Sequence, residues 1–312
     1  MNNIKISKEI IFLQPAFIAK LWGSQRLKQQ FGFDLPENTK IGEAWLVSAL
    51  EQGMSYVMNG RFKGYSLKQL YQEQKQLFAN AKEKEYPLLT KILDANDNLS
   101  VQIHPDDCYA KKHHQMLGKT ECWYVLDCPE NQQVVYGHHA QTKQELVQWL
   151  DGNKFDHLLN YLPIKKDQFI YVPALKIHGL LANTLVFELQ QSSDITYRLY
   201  DYNRLEKDGN PRKLHLSQTK DIVKTPDVES SQANGHNNYL VDNQFFKLVK
   251  IDNSNDAKTY HYPNVRWLQA TVLKGFGTID GVKIKVGDSF ILPHGYEQFE
   301  LSGQLLIMLS YC

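Results

Sequence analysis

The run Lys166-Asp167-Gln168-Phe169-Ile170-Tyr171-Val172-Pro173 is the segment of this chain most informative about its fold, and His178 follows five residues after the proline. A similar run returns as Gly287-Asp288-Ser289-Phe290-Ile291-Leu292-Pro293, with Gln298 five residues after its proline. In both copies an aspartate turn leads into apolar and aromatic residues that end at proline, which indicates a turn followed by a short strand. The repeat predicts two similar β units in one chain.

Length and composition are those of an ordinary folded protein. The 312 residues suffice for one large domain or two medium ones, and 42% of them are hydrophobic and 22% charged. The net charge of +1 creates no overall field that would attract nucleic acid or a membrane surface. We therefore expect neither a nucleic acid nor a membrane as a partner.

The location that we expect is the cytoplasm. The N-terminal run Met1-Asn2-Asn3-Ile4-Lys5 does not lead into the apolar core of a signal peptide, and no apolar run reaches the roughly 18 residues of a membrane span. No C-x-x-C pair occurs among the four cysteines, which are Cys108, Cys122, Cys128 and Cys312. This usage predicts reduced, partly buried thiols rather than disulfides or a zinc knuckle.

Short strand-like runs dominate the chain, and a mainly β protein of β-barrel or jelly-roll architecture is therefore expected. The predicted strands are 45–47, 99–103, 123–126, 133–136, 169–172, 184–189 and 196–200. Helices are expected over 67–85 and within 142–162, as 143–150 and 155–162, with Thr142 and Glu145 at capping-box spacing. The polar, turn-rich segment 224–238 predicts a boundary between residues 1–235 and 236–312, and Asp280-Gly281 predicts a turn beyond it.

Two histidines, one glutamate and one glutamine form a candidate metal site. Gln102 and His104 are two residues apart, so on a strand their side chains leave the same face. Glu121 stands among apolar residues, where an unpaired carboxylate is costly, and His178 is the polar residue of the first repeat copy. Such a set suits a divalent ion with room left for substrate.

Each of these side chains alone also has a purely structural interpretation. A lone histidine is more often exposed or hydrogen-bonded in a core, and we place His113-His114 and His138-His139 in that group because they stand in polar segments. Glu121 alone could be a solvated strand charge, and His178 could cap a turn. In the second copy Gln298 is a poor ligand, so we expect one metal ion per chain.

The two turn-and-strand copies resemble those of cupin jelly rolls. Longer blocks resemble the type I mannose-6-phosphate isomerases, the zinc-dependent cupin phosphomannose isomerases, in their short bacterial form. The most specific blocks are SVQIHPDD at 100–107, GKTECWY at 118–124 and ELQQSSDITYRLYDY at 188–202. The resemblance implies two cupin β-barrels with a small helical insertion. Residues 1–235 would form the catalytic domain, and 236–312 a degenerate copy without metal.

The resemblance also implies an activity and roles for particular residues. The reaction would be the reversible isomerisation of D-mannose 6-phosphate to D-fructose 6-phosphate through a cis-enediol. The ligands of one Zn²⁺ would be Gln102, His104, Glu121 and His178, and Arg198 would be the catalytic arginine. A metal ion or a fixed guanidinium stabilises the negative charge that builds on the carbonyl oxygen. The alternative for Arg198 is a salt bridge to Asp194 or Asp201.

The proton-transfer base and the phosphate contacts are less determined. By the resemblance, Glu188 and Asp194 line the same cleft. Glu188 is the better base candidate, with a metal-bound water as a rival and an ion pair to Arg198 as the structural alternative. Lys119, Ser100 and Lys91 are predicted to contact the substrate phosphate, although either lysine could instead be an ordinary surface residue.

Three positions depart from the family pattern. Lys166 and Leu175 stand where the first cupin turn usually has glycine, and leucine does not readily adopt a positive φ. Leu50 replaces the histidine of a common Ser-Ala-His. Two alternative functions therefore stay open, an isomerase of another sugar phosphate and a catalytically silent sugar-binding cupin. The oligomeric state, monomer or homodimer, is also open.

Overall fold

The structure, a computed structural model, describes residues 9–206, 208–228 and 238–312. It confirms the expected mainly β protein. The strands are β1 Ile11–Gln14, β2 Ala16–Ser24, β3 Ile41–Val47, β4 Tyr56–Val57, β5 Leu88–Ala95, β6 Val101–Ile103, β7 Glu121–Asp127, β8 Gln133–His138, β9 Leu159–Pro163, β10 Phe169–Val172, β11 His178–Leu180, β12 Thr184–Gln191, β13 Tyr197–Tyr200, β14 Tyr239–Asp242, β15 Lys247–Asn253, β16 Lys258–His261, β17 Leu268–Ile279, β18 Val282–Lys285, β19 Ser289–Leu292 and β20 Gln298–Tyr311. The α-helices are α1 Arg26–Phe31, α2 Leu67–Glu73, α3 Asp107–His114, α4 Lys143–Asp151, α5 Phe155–Leu158 and α6 Leu216–Ile222.

Within the described residues the strands form three antiparallel sheets. A six-stranded sheet has the order β10-β7-β12-β5-β3-β2, and a five-stranded sheet has the order β13-β6-β11-β8-β9. A nine-stranded sheet has the order β14-β15-β20-β17-β19-β1-β4, with β16 paired to β20 and β18 to β17. The candidate site residues lie on strands β5, β7 and β12 of the first sheet and β6, β11 and β13 of the second, or in the segments next to these strands.

The six- and five-stranded sheets pack face to face through a buried apolar cluster. Trp123 and Val186 of the first sheet meet Val134 and Leu180 of the second in it. On its other face the five-stranded sheet packs against α4, α5 and α6 in a second cluster. The six-stranded sheet packs against the nine-stranded sheet in a third. The interior between the first two sheets is therefore closed on both outer faces, and polar groups that enter it are held away from water.

The nine-stranded sheet draws on both ends of the chain. Strand β1 pairs with β19, with Ile11 opposite Ile291, and on its other edge with β4. The other seven strands of this sheet come from beyond residue 238. The predicted boundary within 224–238, and with it the division between 235 and 236, falls on residues 229–237, which lie outside the described residues. That division stays a prediction.

Two predicted helices are shorter than expected. Helix α2 ends at Glu73, a 3-10 turn covers Lys75–Phe78, and Ala79 and Asn80 have positive φ values of 55° and 52°, which are incompatible with a helix continuing to residue 85. Helix α5 ends at Leu158, where the chain enters β9 and pairs with β8 instead of remaining helical to residue 162. In both cases tertiary contacts override a sequence that is compatible with helix.

The predicted cap of α4 is present. The Thr142 hydroxyl accepts the backbone N–H of Glu145 at 3.2 Å. The Glu145 carboxylate accepts the N–H of Gln141 at 2.8 Å, one residue before the expected partner. The predicted turn at Asp280-Gly281 is also confirmed, since both residues have positive φ and join the paired residues Ile279 and Val282.

The two repeat copies use the same backbone conformations despite different residues. Aligned on their prolines, Asp167 corresponds to Gly287, with φ values of 65° and 89°, and Leu175 corresponds to Gly295, with φ values of 69° and 86°. The left-handed residue at the first turn is therefore Asp167, and the expectation for Lys166 was wrong by one position. Leu175 keeps the turn geometry before His178 at a cost of about 1–2 kcal/mol.

Candidate active site

Strand pairing brings three predicted ligands together in the buried interior. His178 on β11 lies directly opposite Gln102 on β6, Glu121 opens β7, and His104 follows β6. The ligand atoms of His104, Glu121 and His178 all lie within 4.8 Å of one another, and all three side chains are buried. The Nε2 atoms of the two histidines are 3.1 Å apart, and the two carboxylate oxygens of Glu121 lie 3.4 Å and 3.3 Å from them.

The hydrogen bonds of the two histidines leave both lone pairs aimed at one point. His104 Nδ1 is 2.9 Å from the carbonyl oxygen of Ile195, and His178 Nδ1 is 2.8 Å from that of Lys176. A carbonyl only accepts, so each Nδ1 carries the proton and each Nε2 presents a lone pair. Two lone pairs and a carboxylate that converge in a buried space fit a cation.

The charges around this cluster keep the ligands deprotonated. Burial, reinforced by the charge of Lys119, lowers the pKa of His104 to about 3, and burial lowers the pKa of His178. Burial alone raises the pKa of Glu121, but neighbouring charges, first that of Lys119, lower it well below its usual range. Imidazole and carboxylate are therefore in the forms that bind metal at neutral pH.

Gln102 and Lys119 complete the surroundings of the cluster. The carboxamide nitrogen of Gln102 is 3.4 Å from His178 Nε2, and rotating the amide by half a turn would present its oxygen there. Its role as a fourth ligand stays a prediction. The Lys119 ammonium is 2.9 Å from both Glu121 Oε2 and His104 Nε2. Lys119 is thus buried, and the surface alternative for it is excluded.

A cavity of about 310 Å³ adjoins the cluster, because Gln102 and Lys119 line both. The cavity brings together the remaining predicted site residues, which are Lys91, Ser100, Glu188, Asp194 and Arg198. Its wall also contains Lys20, Glu43, Trp45 and Arg212, which were not predicted as site residues. The volume suits a molecule of monosaccharide size.

Glu188 is buried and paired with Lys91 rather than with Arg198. One carboxylate oxygen lies 3.4 Å from Lys91 Nζ, and the other accepts the indole N–H of Trp123 at 2.9 Å. Burial and the nearby charge of Glu121 raise the pKa of Glu188. Glu188 therefore does not form the ion pair with Arg198 that was its structural alternative. Lys91 is buried, so its surface alternative is also excluded.

Arg198 forms neither of the ion pairs considered as its structural alternative. Its guanidinium donates to the carbonyl of Lys213 at 3.0 Å, while Asp201 is bound by Arg204 at 2.6 Å and by Arg212 at 2.7 Å. Its Nε atom is buried and has no hydrogen-bond partner in the part of the chain that the structure describes. Arg198 therefore retains a donor for a bound molecule.

The residue most clearly missed from the sequence is Glu43. Its carboxylate lies 3.0 Å from Lys20 and 3.7 Å from Lys91, and it accepts the indole N–H of Trp45 at 2.5 Å. Burial alone raises its pKa, but the charges of Lys91 and Lys20 outweigh burial and lower it to about 2. Glu43 precedes Trp45 by two residues on β3, so the predicted strand 45–47 began too late to include it.

The histidine pairs set aside above do not join the metal cluster. His113 and His114 on α3 are exposed, as expected. His138 is buried and its Nε2 atom lies 2.9 Å from the carbonyl oxygen of Lys224, so of the two structural interpretations it follows the hydrogen-bonded core one and not the exposed one. The exposed His139 follows it directly after the end of β8.

The site defines a class of protein: a candidate metal-dependent enzyme with a small, polar, partly cationic substrate cavity. Comparison with known proteins also indicates an enzyme of this class. Residues 10–131 match the family model of the phosphomannose isomerase type I catalytic domain. The chain is 41% identical to a mannose-6-phosphate isomerase of Streptococcus mutans, over 97% of this chain and 98% of that protein. It is 38% identical to a probable mannose-6-phosphate isomerase of Bacillus subtilis, over 96% and 98%.

A solved structure has the same fold. The crystal structure of mannose 6-phosphate isomerase from Bacillus subtilis superposes with a TM-score of 0.91 at 36% identity, covering 97% of this chain and 99% of that one. The chain belongs to the mannose-6-phosphate isomerase family, as its sequence predicted. In the described residues no helix is both long and apolar enough to cross a bilayer.

Proposed function

We propose that the protein interconverts D-mannose 6-phosphate and D-fructose 6-phosphate with the help of one zinc ion. The observation that carries this proposal is the convergence of His104, His178 and Glu121 on one point beside a cavity that also contains Glu188 and Arg198. An aldose–ketose isomerase needs a proton-transfer group and a cation near the reacting oxygens, and this arrangement provides both.

The metal would be held by His104, Glu121 and His178, with Gln102 as the fourth ligand. Nitrogen and oxygen donors of this kind suit Zn²⁺. When bound, the ion polarises substrate oxygens and stabilises the negative charge that develops on them. One ion per chain is expected, because Gln298, the counterpart of His178 in the second copy, is exposed and a poor ligand.

Glu188 is our candidate for the base that moves a proton between C1 and C2. Its buried carboxylate has a raised pKa, which makes it a stronger base than an exposed glutamate, and the neighbouring charge of Lys91 opposes part of that rise. Asp194 lines the same cavity and is the second candidate. The Nε of Arg198, which has no hydrogen-bond partner among the described residues, would donate to the developing oxyanion.

Lys119, Ser100 and Lys91 remain our proposed contacts for the substrate, since all three line the cavity. Both lysines already have carboxylate partners, Glu121 for Lys119 and Glu188 and Glu43 for Lys91. The two lysines would therefore orient the sugar phosphate while held in place by these ion pairs, and not as free cations. A cytoplasmic location belongs to the same proposal and is supported by the four cysteines, all of them free thiols.

The test combines metal analysis with a coupled assay for fructose 6-phosphate formed from mannose 6-phosphate. We expect about one zinc per chain, turnover that chelation abolishes, and recovery when zinc is returned. Absence of both metal and turnover would contradict the proposal. Turnover that survives complete metal removal would contradict the mechanism but not the activity. Faster turnover of a different aldose phosphate would favour the alternative substrate.

A further inference from the structure

The orientation of the ligand His178 depends on the backbone of Lys176. The carbonyl oxygen of Lys176 accepts the Nδ1–H of His178 at 2.8 Å, which fixes both the tautomer and the direction of the ring. Lys176 lies in the turn between β10 and β11, directly after Leu175 with its positive φ of 69°. A turn without an anchor would let this carbonyl move. The side chain of Lys176 provides this anchor through its contacts with Asp227.

The side chain of Lys176 is buried and is held by the segment that follows α6. Its Nζ atom lies 3.0 Å and 2.9 Å from the two carboxylate oxygens of Asp227, and 2.5 Å from the carbonyl oxygen of Val228. It also lies 5.0 Å from the centre of the Tyr136 ring. A buried ammonium with a two-oxygen carboxylate partner has little freedom to move, because breaking the pair would leave a charge unpaired away from water.

Strand β8 is fitted to the same segment. Gly137 has a φ of 89°, and a Cβ atom at this position would lie 2.0 Å from Oδ2 of Asp227, so the carboxylate occupies the space that glycine leaves. The Gly137 N–H donates to the carbonyl of Ile177 at 2.7 Å, and His138 Nε2 lies 2.9 Å from the carbonyl oxygen of Lys224. Residues 224–228 are thus fastened to the ligand-bearing turn and to the strand beside it.

We propose that Asp227 is a positioning residue of the metal centre, which acts through Lys176 on the carbonyl that orients His178. Neither Lys176 nor Asp227 is among the described residues that line the cavity, so neither contacts the substrate there. This inference rests on the metal site of the proposed function. Outer partners of metal-bound histidines commonly change metal affinity by about 10- to 100-fold when they are altered.

The test measures the zinc dissociation constant of Asp227→Asn by competition with a chromophoric chelator, at a temperature where thermal unfolding shows that the protein is folded. We expect zinc affinity to fall by about 10- to 100-fold, with much of the turnover recovered when zinc is in excess. The matched control is Lys220→Met on α6, which breaks the ion pair of Lys220 with Asp151 of α4 and should leave zinc affinity unchanged.

A second variant covers the case in which Asp227→Asn does not fold. The double change Lys176→Met with Asp227→Leu leaves no buried charge unpaired, yet it removes the same anchor. Folded variants that bind zinc as tightly as the wild type would overturn the inference while leaving the proposed function intact. Wild-type protein that binds no zinc would overturn both.

Discussion

The Nζ atom of Lys119 lies 2.9 Å from Oε2 of Glu121, the carboxylate that also faces His104 and His178. A buried lysine thus balances the charge of a metal-ligand carboxylate. Metal and lysine both stabilise the same negative group, so each should matter more when the other is missing.

We therefore predict that Lys119→Met makes folding depend more strongly on metal. In metal-free protein Glu121 would lose its cation, and the free energy of unfolding should fall by about 3 kcal/mol. Adding zinc should then raise the melting temperature further in the variant than in the wild type, as measured by thermal unfolding with chelator or with zinc. The exposed Lys166 provides the control Lys166→Met, and equal zinc-induced shifts in Lys119→Met and wild type would contradict the prediction.

Metal binding and turnover should separate in two single variants. His178→Ala should lose zinc and activity together, because it removes one of the converging lone pairs. Arg198→Ala should keep zinc but lose about 100-fold or more in turnover, because it removes a donor to the developing charge. Zinc content by elemental analysis and the coupled assay give the two readouts. Near-normal turnover of Arg198→Ala would show that its assigned role is wrong.

Glu43 should make the protein sensitive to acid. Its pKa is about 2 in the folded state and ordinarily 4.5, so its stabilising contribution is complete above pH 4.5 and is lost as the pH falls towards 2. At about 1.4 kcal/mol per pH unit this contribution is about 3 kcal/mol. Glu43→Gln should be less stable than wild type by about that amount at pH 7, and the difference should shrink towards pH 2.

Urea unfolding at several pH values measures this difference. The control is Glu51→Gln, since Glu51 is exposed and its pair with Lys68 lies at the surface. We expect Glu51→Gln to match the wild type at every pH. A Glu43→Gln deficit that stays constant from pH 7 to pH 2 would show that packing rather than charge accounts for it.

The positive φ of Leu175 should reverse the usual order of glycine and alanine. Both Leu175→Gly and Leu175→Ala remove the side chain, but alanine still has to adopt a φ of 69°. Leu175→Gly should therefore be more stable than Leu175→Ala by about 1 kcal/mol. At Leu181, which is half-buried and has a negative φ, alanine should be the more stable replacement. Chemical denaturation of the four variants tests both orders.

The metal ligands could be predicted because their signals are local. Spacing alone predicted that the side chains of Gln102 and His104 leave the same side of an extended segment. The strand 169–172 was bounded correctly because a turn and a proline flank it. Glu121 was proposed from its apolar neighbourhood and again from the resemblance, but its place beside His178 depends on strands that are far apart in the chain. The structure places these predicted ligands next to one another.

The partners of the charged residues could not be predicted in this way. Glu188 and Lys91 are direct cross-strand neighbours on β12 and β5, a register that follows from sheet assembly and not from spacing. The same holds for Lys176 and Asp227, which come from a turn and from the segment after a helix. Helix ends at Glu73 and Leu158 were also set by packing, which a local pattern does not contain.

The pairing of β1 with β19 has a consequence for how the protein is made. Residues 11–13 leave the ribosome early, but their partners 289–291 are among the last to be synthesised. The edge of β1 that pairs with β19 must therefore wait through most of translation, although its other edge can pair early with β4. The nine-stranded sheet can be completed only after nearly the whole chain has been synthesised. Factors that shield nascent chains should accordingly affect the yield of this protein more than they affect the stability of the finished fold.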